Sequence, residues 1–202
     1  MLEEWHETVP AVLLAWYPGM EGGHAIADLL LGKAEPGGRL PFAIPAHIAD
    51  LPQFDPSADS VRYDEWWGQR LLDKRAAEPA YPFGFGLGYS RVEFSDPKIF
   101  MVGEQSAMEV TARNSGDRAT ATIAQAYAHD ATSQARVPIR RLVGFARVAL
   151  EPEETKRVRI PLDLTALHHR IAPGEWTRRD GDWRIAVASH SRDTGTDTCA
   201  VF

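Results

Sequence analysis

Apolar residues follow two different rhythms along this chain. In the first part they come in blocks. Ala11 to Tyr17 is a continuous apolar run fenced by Pro10 and Pro18, the pattern of a strand covered on both faces in a parallel sheet and too short for a helix. From Glu21 to Leu31, Ala25, Ile26, Leu29 and Leu30 fall on one stripe at helical spacing, ahead of Gly32 and Lys33, which predicts an amphipathic helix with start and stop signals. RLPFAIP then predicts a short return strand, so the segment is expected to form one βαβ-like crossover. Trp16, Gly19, Gly22 and Gly23 are expected to shape its corner and let the helix sit close to the sheet. Between Ala46 and Gly88 the periodicity gives way to Pro, Gly, Asp and aromatics, which predicts a functional loop or a tether wrapped over a neighbour.

Beyond Ser90 the rhythm changes to period two. In SAMEVTARNSGD, Met108, Val110 and Ala112 alternate with Glu109, Thr111 and Arg113 ahead of an Asn-Ser-Gly-Asp turn. In TKRVRIPLDL, Val158, Ile160, Leu162 and Leu164 alternate with mostly polar neighbours, and in DWRIAVAS, Trp183, Ile185 and Val187 share one face. These are half-buried antiparallel strands. About seven such runs, separated by turn signals, predict a β-sandwich over residues 91–202.

Composition narrows the field. With 202 residues, 44% of them hydrophobic, the chain has material for one good core and part of a second. The net charge of −6, with basic residues interspersed among acidic ones, argues against a nucleic-acid partner, which would need a clustered basic face. The single cysteine, Cys199, rules out an internal disulfide. AVLLAWY is too short to span a bilayer, and MLEEWHETVP is acidic where a signal peptide is basic. The expectation is a cytoplasmic chain with no membrane contact.

Several ordered motifs carry a family resemblance. AWYPGMEGGHAIADLLLGKAEPGGRLPFAIP, then DLP, then YPFGFGLGYS resemble the end of the αβα-sandwich domain of family 3 glycoside hydrolases, the β-glucosidase and β-xylosidase group. VTARNSGDRATATIAQAYAHD, IRRLVGFARVALEPEETKRVRIPLDL and GDWRIAVASHSRD resemble the fibronectin type III-like domain that closes many members. The resemblance implies an incomplete αβα segment over 1–90 and a fibronectin type III-like sandwich over 91–202. It implies the last portion of a longer enzyme that cleaves β-linked glycosides through a glycosyl-enzyme intermediate, with barrel and catalytic pair elsewhere. No cofactor is expected. The partners implied are β-linked glycosides and an N-terminal barrel, in the same chain or a separate one, with self-association through the face near Val12, Leu14 and Trp16 also expected.

Retaining glycosidases need two opposed carboxyl groups across the sugar bond. Glu151, Glu153 and Glu154 stand in a turn, and Asp180 and Asp182 in an expected hairpin turn, where acidic residues are simply good turn formers. Relatives place a Tyr, an acidic residue, Gly and a Gly-Tyr-Arg stretch before PFG, and here VRYDEWWGQRLLDKR stands there. Tyr63, Asp64, Glu65, Trp66, Trp67 and Arg70 are therefore the substrate-cleft candidates, the aromatics offering sugar-stacking faces, with interface packing the competing role. No catalytic residue is assigned. His168 and His169 are adjacent and expected on opposite strand faces, so no metal site is expected; His24 and Asp28 are expected to pair along the helix. Ser189 to Ser191 are expected as a strand end with solvated hydroxyls. A helix N-terminal anion site at PGMEGG is disfavoured by Glu21. A second reading is a stand-alone carbohydrate-binding or adhesion module, for which Trp176 and Trp183 are the candidates, although alternation turns Trp183 inward. A third is one half of a split enzyme.

Overall fold

The computed structural model describes residues 4–6, 8–61, 64–102, 105–136 and 139–198. The period-two segments form two facing antiparallel sheets. One has the order β3 (Val92–Val102), β4 (Gln105–Asn114), β7 (Thr155–Leu162). The other has the order β11 (Thr196–Thr198), β10 (Trp183–Ala188), β5 (Thr120–Asp130), β6 (Arg141–Leu150). Alternation sends Met108, Val110 and Ala112 of β4 and Val158 and Ile160 of β7 inward to meet Ala124, Ala126, Ala128, Ile185 and Val187, all buried in one core. Each of the larger aliphatic side chains contributes about 1.5–3 kcal/mol by leaving water. Val143 is a bulged residue of β6, between the pairs Ala126–Gly144 and Tyr127–Leu142. At Gly144 the sheets touch: a Cβ there would lie 2.3 Å from the Pro161 carbonyl oxygen. Leu164, expected to continue β7, instead belongs to a 3-10 turn (Leu164–Leu167) whose entry is capped by the Asp163 side chain. A separate two-stranded ribbon, β8 (His168–Ala172) with β9 (Glu175–Arg178), follows that turn.

The first part of the chain differs more from expectation. α1 (Gly22–Leu30) forms as predicted, with Glu21 at its N-cap position. Ala11–Tyr17 is no strand, because no neighbouring strand among the described residues satisfies its backbone groups. Val12, Leu13, Leu14, Trp16 and Tyr17 are exposed, as are Leu30 and Leu31, so the apolar stripe of α1 faces little protein. RLPFAIP contributes only β1 (Ile44–Pro45), paired antiparallel with β2 (Pro79–Tyr81) rather than closing a βαβ crossover. Gly19 has φ +69 and a Cβ on Gly22 would strike Pro18 at 2.6 Å, but Gly23 has open space around it and makes no close approach. The stretch expected to be irregular contains α2 (Gln69–Arg75). Among the described residues no helix is long and apolar enough to cross a membrane.

The segment YPFGFGLGYS lies on the outer face of β5. Gln125 donates from Nε2 to the carbonyls of Gly84 (3.0 Å) and Ser189 (2.6 Å), and the Tyr127 hydroxyl donates to Gln125 Oε1 at 2.7 Å. Gly84 needs its φ of +83, and a Cβ there would come within 2.3 Å of both Gln125 Oε1 and the Tyr127 hydroxyl. Leu40 exchanges backbone hydrogen bonds with this segment, accepting from Gly84 and donating to Phe85. Nearby, Arg39 donates to Thr122 Oγ1 (2.7 Å), and Glu35 Oε1 accepts from Thr120 Oγ1 (2.7 Å) and the Tyr89 amide (2.9 Å). Polar atoms that would otherwise be buried alone are thus satisfied across the junction, which explains why β5 is buried on both faces.

Candidate functional site

A concavity is built where α2 and the residues before it meet the β8–β9 ribbon. Asp64 Oδ1 accepts from the Trp66 amide at 2.7 Å, a local turn that sets the direction of Glu65 and Trp66. Gly68, at φ +56, then lets the chain enter α2. The helix is fixed from beneath. Asp73, 1% exposed at its side chain, lies 2.8 Å from Arg192 Nε and accepts from Gln69 Nε2 at 2.7 Å. Gln69 Oε1 in turn accepts the Phe83 amide, while Arg192 Nη2 donates to the Ala77 carbonyl. Burial pushes the Asp73 carboxyl above its ordinary range, with Gln69 and Arg192 pulling the other way.

The opposite wall comes from the sandwich. Arg141 opens β6, Thr165 and Ala166 lie on the 3-10 turn, and His168, His169, Arg170 and Trp176 on the ribbon. Arg179 follows β9, its amide donating to the Leu167 carbonyl and its carbonyl accepting from Trp183 Nε1. Together with Asp64, Glu65, Trp66 and Arg70 these residues line a half-open cavity of about 630 Å³. Glu65 bridges the walls, its Oε2 hydrogen-bonded to Arg179 Nη2 and 3.8 Å from Arg141 Nη2. The Arg141 side chain is only 9% exposed. Burial, reinforced by the nearby Arg70 and Arg179 guanidinium groups and opposed by Glu65, pushes Arg141 down to about 10.

The structure brings four of the six cleft candidates together: Asp64, Glu65, Trp66 and Arg70. Tyr63 lies outside the described residues, and Trp67 is 60% exposed and does not line the cavity. The Lys74 ammonium sits 4.2 Å from the Trp66 ring centroid, so one indole face is already taken. Residues of the opposite wall were missed because only folding joins them to the loop; the Arg140-Arg141 pair and the HHR run were the available signals. His168 and His169 line the same cavity although adjacent in a strand. His24 pairs with Glu21 (2.9 Å) instead of Asp28, because the N-cap carboxylate is nearer. Ser191, expected to be solvated, is buried at 2% exposure, its amide bonded to the Phe83 carbonyl. Glu151, Glu153 and Glu154 serve their turn: Glu154 accepts the Glu151 amide and pairs with Lys156, and Glu153 pairs with Arg113. Asp180 and Asp182 connect β9 to β10 rather than closing a hairpin, since β9 pairs with β8. Trp183 is buried and Trp176 exposed, so the two form no joint platform.

Chemically, the cavity offers cations and aromatic surface. It does not offer two opposed carboxylates: Asp64 and Glu65 are sequence neighbours, one bonded to a backbone amide and the other to arginines.

Comparison with known proteins accounts for both halves. Residues 1–89 match the glycosyl hydrolase family 3 C-terminal domain, and residues 122–191 the fibronectin type III-like domain. A probable beta-glucosidase K of Emericella nidulans is 39% identical over 94% of this chain but 23% of its own length. A beta-glucosidase of Rhizobium radiobacter is 36% identical over 94% of this chain and 25% of its own. The solved beta-glucosidase of Kluyveromyces marxianus superposes with a TM-score of 0.84 at 32% identity, covering 96% of this chain and 24% of that one. The chain thus spans about a quarter of the length of the relatives it matches. It belongs to glycoside hydrolase family 3, over the C-terminal region of that family.

Proposed function

We propose that this chain completes a β-glucosidase-like enzyme whose catalytic carboxyl groups lie in an N-terminal part, in the same polypeptide or a separate one. The observation that carries this is the collinear match to β-glucosidases over 94% of the chain and only 23% of the relative's length. In this reading the sandwich, bonded to YPFGFGLGYS across the β5 face, holds the end of the αβα domain in place, with the boundary between the two parts near residue 90. The exposed apolar face at Leu13, Leu14, Trp16 and the α1 stripe is where the rest of that domain packs, since apolar patches of this kind mark interfaces. The 630 Å³ cavity forms part of the rim of the substrate cleft, with Trp66 and Trp176 as sugar-facing surfaces.

Hydrolysis of a glycoside needs both carboxyl groups and a formed cleft. The purified 202-residue chain is therefore expected to give no hydrolysis of aryl β-glucosides. Fusion or co-expression with a barrel-bearing N-terminal part is expected to produce it. Turnover by the chain alone, abolished by Asp64→Asn or Glu65→Gln, would defeat this reading.

A further inference from the structure

Four arginine side chains meet at the cavity and two carboxylates answer them. Arg70, Arg141, Arg170 and Arg179 against Asp64 and Glu65 leave a local excess of positive charge, on a chain whose net charge is −6. One oxygen of each carboxylate is already committed. Glu65 is held by Arg179 with Arg141 nearby, and Asp64 Oδ1 takes the Trp66 amide. Donor capacity remains. Among the described residues Arg70 makes no ion pair or hydrogen bond. The Arg141 side chain is nine-tenths buried, and its nearest carboxylate oxygen, at 3.8 Å, is beyond hydrogen-bond distance. Guanidinium groups that face one concavity without a carboxylate at hydrogen-bond distance suit an anionic acceptor from outside.

We propose that this cavity binds an acidic sugar, a uronate whose carboxylate is taken by the Arg70, Arg141 and Arg179 guanidinium groups while its ring lies against the Trp66 or Trp176 indole. The guanidinium fork matches a carboxylate edge to edge, which a sugar hydroxyl cannot do. A space of 630 Å³ exceeds what a bare anion needs and lies in the range of small organic ligands. The inference rests on reading the cavity as a saccharide-facing rim and adds the class of saccharide.

Calorimetric titration of the whole chain with methyl β-D-glucuronide, methyl β-D-glucoside and sodium acetate tests it. The glucuronide is expected to bind at least about tenfold more tightly than either control and to weaken as salt is added. Arg70→Gln, at a residue with no partner to lose, is expected to remove most of that preference while leaving the thermal unfolding midpoint unchanged. Arg141→Lys keeps the charge but not the fork and is expected to reduce it too. Equal affinity for the two methyl glycosides would overturn the acidic-sugar proposal and leave the saccharide rim standing. Acetate binding as tightly as the glucuronide would overturn it in favour of a bare anion site, and so would wild-type behaviour of both variants. Binding of neither glycoside would also overturn it, while the rim itself would still answer to the activity of the completed enzyme.

Discussion

Gly84 occupies a position where no side chain fits and no other residue adopts the backbone easily. Its φ is +83, and an added Cβ would displace the hydrogen bond between Gln125 Oε1 and the Tyr127 hydroxyl, both buried. Burial pushes the Tyr127 phenol well above its ordinary range, so it stays a donor. Gly84→Ala is expected to destabilise the chain by about 2–4 kcal/mol, the sum of left-handed strain and broken buried bonds, as read from urea unfolding. A second residue-scale effect depends on pH. The Asp163 carboxylate accepts from both the Thr165 amide and hydroxyl, which holds it below its ordinary range. A folded-state value below the unfolded one means the carboxylate stabilises the fold above the unfolded value of about 3.9. That stabilisation is lost as pH falls through the folded value. Wild type is thus expected to exceed Asp163→Asn in unfolding midpoint at pH 6, and the gap to close below about pH 4; a gap independent of pH would contradict this.

At the scale of elements, α2 depends on a tie from the far end of the chain. Arg192 reaches Asp73, the Ala77 carbonyl and Glu78. Arg192→Ala leaves a buried carboxylate unpaired and is expected to cost about 3 kcal/mol. Arg192→Ala with Asp73→Leu is expected to recover part of that loss, measured by thermal unfolding of single and double variants. The sequence made the sandwich strands legible because one buried face and one wet face leave a period of two, as Met108, Val110 and Ala112 do. α2 was not legible: seven residues with Leu71 and Leu72 as the only apolar pair carry too few turns for a helical period. Ala11–Tyr17 misled in the opposite direction, since an apolar run signals burial in a sheet but does not supply the sheet. Asp64, Glu65, Trp66 and Arg70 were legible from their family motif. Arg141 and Arg179 were not, because their proximity to Glu65 arises only when β6 and β9 are brought beside the loop.

For the whole molecule, the contrast between the two parts sets its stability profile. Core residues of β4, β5, β7 and β10 are almost fully buried, while residues 11–17 and the α1 stripe are largely exposed. Opening free energies follow that difference. Hydrogen exchange of the isolated chain is expected to show slow amides in the sandwich and fast ones at 11–17. The same apolar surface is expected to drive self-association, giving a weight-average mass above 22.4 kDa by sedimentation. Equal protection in both parts of a strictly monomeric species would count against both expectations.

For gene shuffling among related enzymes, the fit between Gly84 and the Gln125–Tyr127 pair determines where a crossover is tolerated. A breakpoint at residue 90 would join one parent's glycine-rich loop to another parent's β5, and every mismatch in size or polarity would fall inside the seam. A breakpoint in the exposed stretch 53–61 would carry loop, helix α2 and sandwich across as one inherited block. What would then have to re-form lies around Glu35, Arg39 and Leu40 and at the β1–β2 pair, where the hydrogen bonds between Leu40 and the loop are to main chain and indifferent to side-chain identity.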